Sequence, residues 1–461
     1  MLTKSLFKQF LDHPLHFWAV AHGAITVYPD PGTRFIMSQG YQVEEVAIRY
    51  LRTLLTSPDL DLKPQHTISQ GRLKARVDLW VETLMSQAAS IYEIKSATRL
   101  KQDHIWDLAF QYHIAATLRD IGKTFLVHVN PAYRLVGELD PSQFFIIEDV
   151  TDQVTAKQVD LPELIRQALH ILDSPERPDL PGCGHPHDCP CPDVCFGGQL
   201  KPTSIHYLHG TLPDSLKDIA DLTDITDPSD LNPKQQKQVE SAKSGQPIID
   251  RPAIATFLDR LRFPLYFLDY ETINFAIPKY QHHAPQSHLP FQYSLHRLDA
   301  PDAPLTHFEF LETGRADPSP TLLKQLSSQI GDTGSILVWY KNFEQGRNRY
   351  LAELAPDYRD FINGLNNRIV DLMDPFARGW YADYRFRGSA SIKRVLPILI
   401  PDLSYKDLSI GNGGLALVSW YKMVYENVSA KERHKIKQDL LEYCQLDARA
   451  MVAIYRFLTK P

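Results

Sequence analysis

The segment Pro264-Leu265-Tyr266-Phe267-Leu268-Asp269-Tyr270-Glu271 constrains the fold most, because an apolar run of strand length ends in two carboxylates spaced i and i+2. The two-residue period of a strand puts Asp269 and Glu271 on one face of a sheet. Charged groups at the end of an apolar strand need a partner. Two acids on one face can hold a hard divalent cation.

Two later segments supply what such a site lacks. Glu442-Tyr443-Cys444-Gln445-Leu446-Asp447 has a helical pattern, with Tyr443 and Asp447 at i and i+4 on one face. Val338-Trp339-Tyr340-Lys341-Asn342-Phe343-Glu344 reads as a strand end running into a helix that delivers a further acid, Glu344. Two-metal phosphodiester hydrolysis needs such a set, to hold ions about 3.5–4 Å apart. Either motif alone would equally suit a surface turn or a solvated helix face, so the weight rests on finding both in this order. Asp371, after Ile369-Val370, is either another acid near the metals or a helix N-cap.

D-x-E on a first strand and Y-x3-D on a late helix resemble the first and third motifs of DEDD 3′–5′ exonucleases of the tyrosine subclass. The resemblance implies an RNase H-like fold binding Mg²⁺ or Mn²⁺, with Asp269, Glu271 and Asp447 as ligands and Tyr443 orienting the attacking water. Glu344 stands where that family has an aspartate, and Tyr340 where it tends to have asparagine. Arg378 to Arg387, followed by Lys393, interleaves cations with aromatic rings, as single-stranded nucleic-acid channels do. The same pattern also suits core rings with a rim of solvated arginines.

The remainder is long enough for more than this one domain. At 461 residues and 43% hydrophobic content the chain can form two or three cores. Helical patterns at 3–10 and 43–55 precede strand-like segments at 73–82 and 90–94, a helix at 104–118, strands at 124–129 and 143–149, and a helix at 162–172. Residues 1–198 are therefore expected to form a first domain, 199–261 a helical connector, and 262–461 an α/β domain.

In the first domain Asp78 is followed about fifteen residues later by Glu93-Ile94-Lys95, and a hairpin would bring these together on a divalent cation with Lys95 beside the scissile phosphate. The arrangement resembles the PD-(D/E)XK nuclease core of the RecB-like branch. That resemblance implies metal ligands at Glu44, Asp78 and Glu93 and catalytic roles for Lys95 and Gln111. The tyrosine usually spaced several residues after the glutamine is absent, with Tyr112 adjacent instead.

Four of five cysteines follow as Cys183-x5-Cys189-x-Cys191-x3-Cys195, which in a reducing compartment reads as a metal site. RecB-like nucleases with a 4Fe-4S cluster join three such cysteines to one near the N-terminus. Cys183, Cys189 and Cys195 fit the trio, and the N-terminal position is His13-Pro14 here. The fourth ligand is His13 or Cys191; zinc, held by His185 and His187 with two of the cysteines, is the alternative metal, and a loop of buried free thiols is the reading without one.

A net charge of -6 gives no global pull toward nucleic acid, so binding must rely on local grooves. No apolar run is long enough for a membrane span or signal peptide, which makes the expected location cytoplasmic with no membrane partner. Both halves together resemble a bacterial family fusing a RecB-like nuclease domain to an RNase H-like exonuclease domain. The resemblance implies a metal-dependent nuclease acting from single-stranded DNA ends, or on RNA, in repair or defence. The alternative is a nucleic-acid-binding or assembly protein with a structural, metal-stapled first domain and a degenerate nuclease site.

Overall fold

The computed structural model describes residues 1–406 and 408–460. The chain divides into two compact units of mixed α/β structure, one formed by Met1–Gln199 with Asn274–Ser287, the other by Leu200–Ile273 with the residues from His288 onward.

The first unit is built on a six-stranded sheet of β1 (Leu2–Thr3), β2 (Leu60–Gln70), β3 (Leu73–Thr83), β4 (Ala89–Lys95), β5 (Ile121–Val129) and β6 (Phe145–Asp149). Its order is β1-β3-β4-β5-β6, and β2 pairs with β3. Alternate residues of β3, Leu73, Ala75, Val77 and Leu79, are buried, as one packed face requires. β3 and β4 are antiparallel with Leu79 opposite Tyr92, whereas β4 and β5 are parallel. The parallel pair needs a crossover, which the helix Gln102–Ala115 supplies. Phe110 of that helix stacks on Phe7 at 4.9 Å in the core of one face. Val43, Ala47 and Leu51 of the helix Pro31–Leu54 belong to a second apolar cluster with Tyr92, Ile94 and Val127.

Strand β2 had no counterpart in the sequence reading. Most of its residues are half-buried, and Pro64 and the left-handed Gln65 interrupt any alternation.

Residues Asn274–Ser287 belong to the first unit although they lie between two strands of the second. Buried Gln39 holds them, donating from Nε2 to the Asn274 carbonyl (3.1 Å) and accepting from the Ala276 amide (2.7 Å). The Gln286 side chain donates to the Ser96 carbonyl at 3.0 Å.

The second unit has a five-stranded sheet and a small ribbon, formed by β7 (Ile248–Ile249), β8 (Leu265–Asn274), β9 (His288–Leu298), β10 (Thr306–Leu311), β11 (Ser335–Val338), β12 (Ile369–Asp371) and β13 (Tyr381–Ala382). The main order is β10-β9-β8-β11-β12, which puts β8, the strand that carries Asp269 and Glu271, in the middle. β8 runs parallel to β11, and β11 to β12. The helices Pro318–Gln329, Lys341–Leu354, Gly413–Tyr425 and Ala430–Leu458 accompany this sheet.

Residues from Leu200 onward, expected as a connector, pack as part of this unit. Their short apolar intervals form a buried cluster of Ile205, Leu208, Leu222, Ile225, Leu231 and Val239, and β7 pairs with β13 through Ile249 and Tyr381. No helix of the described residues is long and apolar enough to cross a membrane.

Replacing Gln39 by leucine keeps the volume but strands the Ala276 amide and Asn274 carbonyl, a loss of about 1–3 kcal/mol per orphaned group. Limited proteolysis of Gln39→Leu is expected to cut first within 274–287, before the rest of the first unit is attacked.

Candidate metal centres

In the second unit, ligand oxygens of Asp269, Glu271 and Asp447 lie within 4.8 Å of one another. Asp269 and Glu271 project from β8 as the strand period requires, and Asp447 comes from the long helix Ala430–Leu458. Burial holds the carboxyls of Asp269 and Glu271 well above their ordinary range, and the charge of Asp447 adds to this. Burial also raises Asp447, against hydrogen bonds from Tyr405 and Tyr443 and the charge of Lys393. Like charges are thus crowded where water cannot screen them, which is the electrostatic condition for binding a cation.

The other sequence candidates gather around this trio. Glu344, on the helix Lys341–Leu354, is buried and is raised by burial and then by the charges of Asp269 and Glu271. Its Oε2 has no hydrogen-bond partner among the described residues. Tyr443 is buried one helical turn before Asp447. Cys444 is buried with its sulfur 3.8 Å from Asp269 Oδ2.

Asp371 is a cap. Its carboxylate accepts the amides of Tyr340 (3.1 Å), Lys341 (2.8 Å) and Met373 (3.1 Å), so it satisfies the start of the helix Lys341–Leu354 from the neighbouring strand. Tyr340 needs this support, because it sits at φ 74°, where a bulky residue is strained.

Two further groups were not foreseen. Lys393 Nζ donates to the Gly411 carbonyl at 2.9 Å and to the Tyr443 hydroxyl at 3.4 Å, and its charge reaches Asp269, Glu271 and Asp447. The Tyr405 hydroxyl donates to Asp447 Oδ1 at 2.5 Å. Lys393 had been considered only as part of the cation-aromatic stretch. That stretch is mostly core and paired charge, with Tyr381 and Phe386 buried and Arg385 bonded to buried Asp383 at 2.6 Å.

In the first unit, β3, β4 and the crossover helix bring Asp78, Glu93, Lys95 and Gln111 together. Lys95 Nζ donates to Glu93 Oε1 (2.7 Å) and Asp107 Oδ2 (2.8 Å), and Gln111 Nε2 donates to Glu93 Oε2 (2.7 Å). Asp78 Oδ2 accepts the Ile94 amide at 2.9 Å. Lys4, which the sequence reading left out, donates to both oxygens of Glu93 at 2.9 and 3.1 Å, and Lys8 donates to Asp107 at 3.2 Å.

Burial alone would raise Glu93, but the Lys4 and Lys95 ammoniums override it and hold the group below its ordinary range. Asp78 is pushed up to about 7, by burial first and then by the charge of Glu93. Glu44, hydrogen-bonded by Gln65, is raised mainly by burial and feels the charge of Glu93. These acids are not among the described groups whose ligand atoms converge within 4.8 Å.

The cysteines do converge. Ligand atoms of His16, Cys189, Cys191 and Cys195 lie within 4.8 Å of one another, so this cluster can bind a metal. Cys183 is also buried, and burial raises its thiol first, with Cys189 and Cys195 near enough to act on it. His13 is not in that set; its Nδ1 accepts the Leu15 amide at 3.3 Å and caps the next helix, Pro14–Ala21. That helix carries His16 one turn further on, facing Cys189. His185 and His187 are exposed. Burial pushes the Cys191 thiol up to about 12. Gly182 lets the chain pass over the cluster, since a Cβ there would lie 2.5 Å from the Cys195 carbonyl.

Comparison with known proteins places this chain beside others without an assigned role. A family model described as "Domain of unknown function (DUF2779)" matches residues 266–391, the stretch with Asp269, Glu271 and Glu344. "Uncharacterized protein UU173" of Ureaplasma parvum is 29% identical over 142 residues, covering 27% of this chain and 21% of that relative. "Uncharacterized protein MG366 homolog" of Mycoplasma pneumoniae is 24% identical over 217 residues, covering 43% of this chain and 32% of that relative. "Uncharacterized protein MG366" of Mycoplasma genitalium is 27% identical over 135 residues, covering 27% of this chain and 20% of that relative. The chain thus spans a third or less of the length of these relatives, and no solved structure matches it.

Proposed function

We propose that the second unit is a divalent-metal-dependent nuclease that hydrolyses phosphodiester bonds of nucleic acid from single-stranded ends, 3′–5′, as an RNase H-like DEDD exonuclease would. The observation that carries this reading is the convergence of Asp269, Glu271 and Asp447 within 4.8 Å. Mg²⁺ or Mn²⁺ held there supplies Lewis acidity toward a phosphoryl oxygen.

The chain's own groups do the rest. The three carboxylates hold and place the ions, and Glu344, with an oxygen free of hydrogen bonds, is the fourth acid available to them. The Tyr443 hydroxyl, in contact with Lys393 Nζ, orients the attacking water. Tyr405 fixes the rotamer of Asp447 through its short hydrogen bond.

A second reading applies to the first unit, and Lys4 favours it. An ammonium already engages both oxygens of Glu93, and Lys8 and Lys95 pair with Asp107, so Glu93 already holds a cation of the protein's own. The first unit then serves as a nucleic-acid-binding or assembly module, and cleavage belongs to the second unit.

Digestion of end-labelled single-stranded DNA and RNA with Mg²⁺ or Mn²⁺ separates these assignments. Asp269→Asn is expected to lower the rate of 3′-end shortening at least about 100-fold, since losing even an outer-shell partner of a metal site costs about 10–100-fold. Glu93→Gln is expected to leave the rate within about twofold, there being no interaction with the reacting groups to lose. Loss of cleavage with Glu93→Gln but not Asp269→Asn would move the active centre to the first unit.

The raised acids of the second unit also predict a pH dependence. Their native pKa values lie above the unfolded ones, so without metal their contribution to stability is full below the ordinary carboxylate range and is lost as pH rises through the raised values. Metal must displace those protons, so the gain in thermal stability from Mn²⁺ is expected to be larger at about pH 8 than at about pH 6. A calorimetric scan of wild type and Asp269→Asn checks this, with the pH-dependent gain absent in the variant.

A further inference from the structure

The donor spacing of the cysteine cluster tells one kind of metal centre from another. In a tetrahedral site with metal–sulfur bonds of about 2.3 Å and metal–nitrogen bonds of about 2.0–2.1 Å, two sulfurs stand about 3.8 Å apart and a sulfur and a nitrogen about 3.6 Å apart. Cys191 Sγ and Cys195 Sγ are 3.8 Å apart, and Cys189 Sγ and His16 Nε2 are 3.6 Å apart. Both edges match one shared ion.

A 4Fe-4S cluster makes a different demand, because each ligand caps a different iron at the corner of a cube, which puts the sulfurs roughly 6 Å apart. All four donor atoms here fit within 4.8 Å, leaving no room for a cube between them. The resemblance to iron–sulfur RecB-like nucleases implies such a cluster on Cys183, Cys189 and Cys195, and two of that trio, Cys189 and Cys195, stand closer together than a cube requires.

We propose that His16, Cys189, Cys191 and Cys195 bind one zinc ion in a closed tetrahedral site, with Cys183 a buried thiol outside the ligand set. Three thiolates with one imidazole is a donor set typical of structural zinc, and four protein ligands leave no position for substrate. Leu15, Ala19, Trp18 and Phe196 pack around the sulfurs, with Cys191 and Cys195 buried and His16 and Cys189 half-buried. Binding converts three thiols to thiolates, and their protons pass to solvent. The ion then joins the helix Pro14–Ala21 to the segment 189–195, so its role is to fix the fold of the first unit.

The test uses the full chain, purified without oxygen from cells supplied with both iron and zinc, and none of its readouts depends on nucleic-acid cleavage. The expected result is one zinc per chain, no acid-labile sulfide and no broad visible absorption. After exchange with Co²⁺, the spectrum of a tetrahedral thiolate site is expected, shifted by His16→Cys and unchanged by His13→Ala. His16→Ala should weaken zinc retention against a chelator at least about 100-fold. His16→Cys keeps four donors and so tests the ligand if the alanine variant does not fold. Iron with stoichiometric sulfide, a chain that takes up neither metal, or a cobalt spectrum that responds to Cys183→Ser or His13→Ala and not to His16→Cys would overturn the proposal.

Discussion

Like charge in a place with little water is the constraint on which the second unit turns. Asp269, Glu271, Asp447 and Glu344 all lie where burial disfavours ionisation, and the charges of the first three raise the proton affinity of their neighbours. A fold tolerates this only if cations or protons compensate. Lys393 compensates in part, reaching in from the Gly411 carbonyl beside the acids. The incomplete compensation is what leaves this centre with an appetite for metal.

The first unit meets a similar problem with direct ion pairs at two of its acids, Glu93 and Asp107. Its acids come from β3, β4 and the crossover helix, but Lys4, Lys8 and Lys95 enter among them and make direct ion pairs with Glu93 and Asp107. Removing one partner of such a buried pair costs far more than the pair contributes, so the lysines and acids hold one another in place. Two centres assembled from the same residue types thus differ in whether the protein has already supplied the cation.

Local patterns made much of this legible. The apolar run into Asp269 and Glu271, the i, i+4 relation of Tyr443 and Asp447, and the strand-helix-strand order of the first unit all follow from periodicities of the chain. What periodicity does not carry is which distant residue arrives at a site. Lys4 and Tyr405 lie far in sequence from the acids they touch, and Lys393 from the Tyr443 hydroxyl it reaches, and tertiary packing alone brings them there. Histidine identity failed for a local reason, because His13 spends its ring nitrogen on a helix cap while His16, one turn on, faces the thiols. Strand β2 was hidden by its composition, since half-buried residues broken by Pro64 show no alternation.

The path of the chain carries one more consequence. Residues 274–287 complete the first unit yet leave and re-enter the second within its central sheet. Neither unit can therefore be copied, lost or exchanged as a single stretch of gene. Cutting between residues 199 and 200 would give one fragment without a piece of its core and another carrying a loop folded for something else. Recombination that shuffles modules at linkers has no clean joint here, so the two halves are bound to be inherited, and to change, as one.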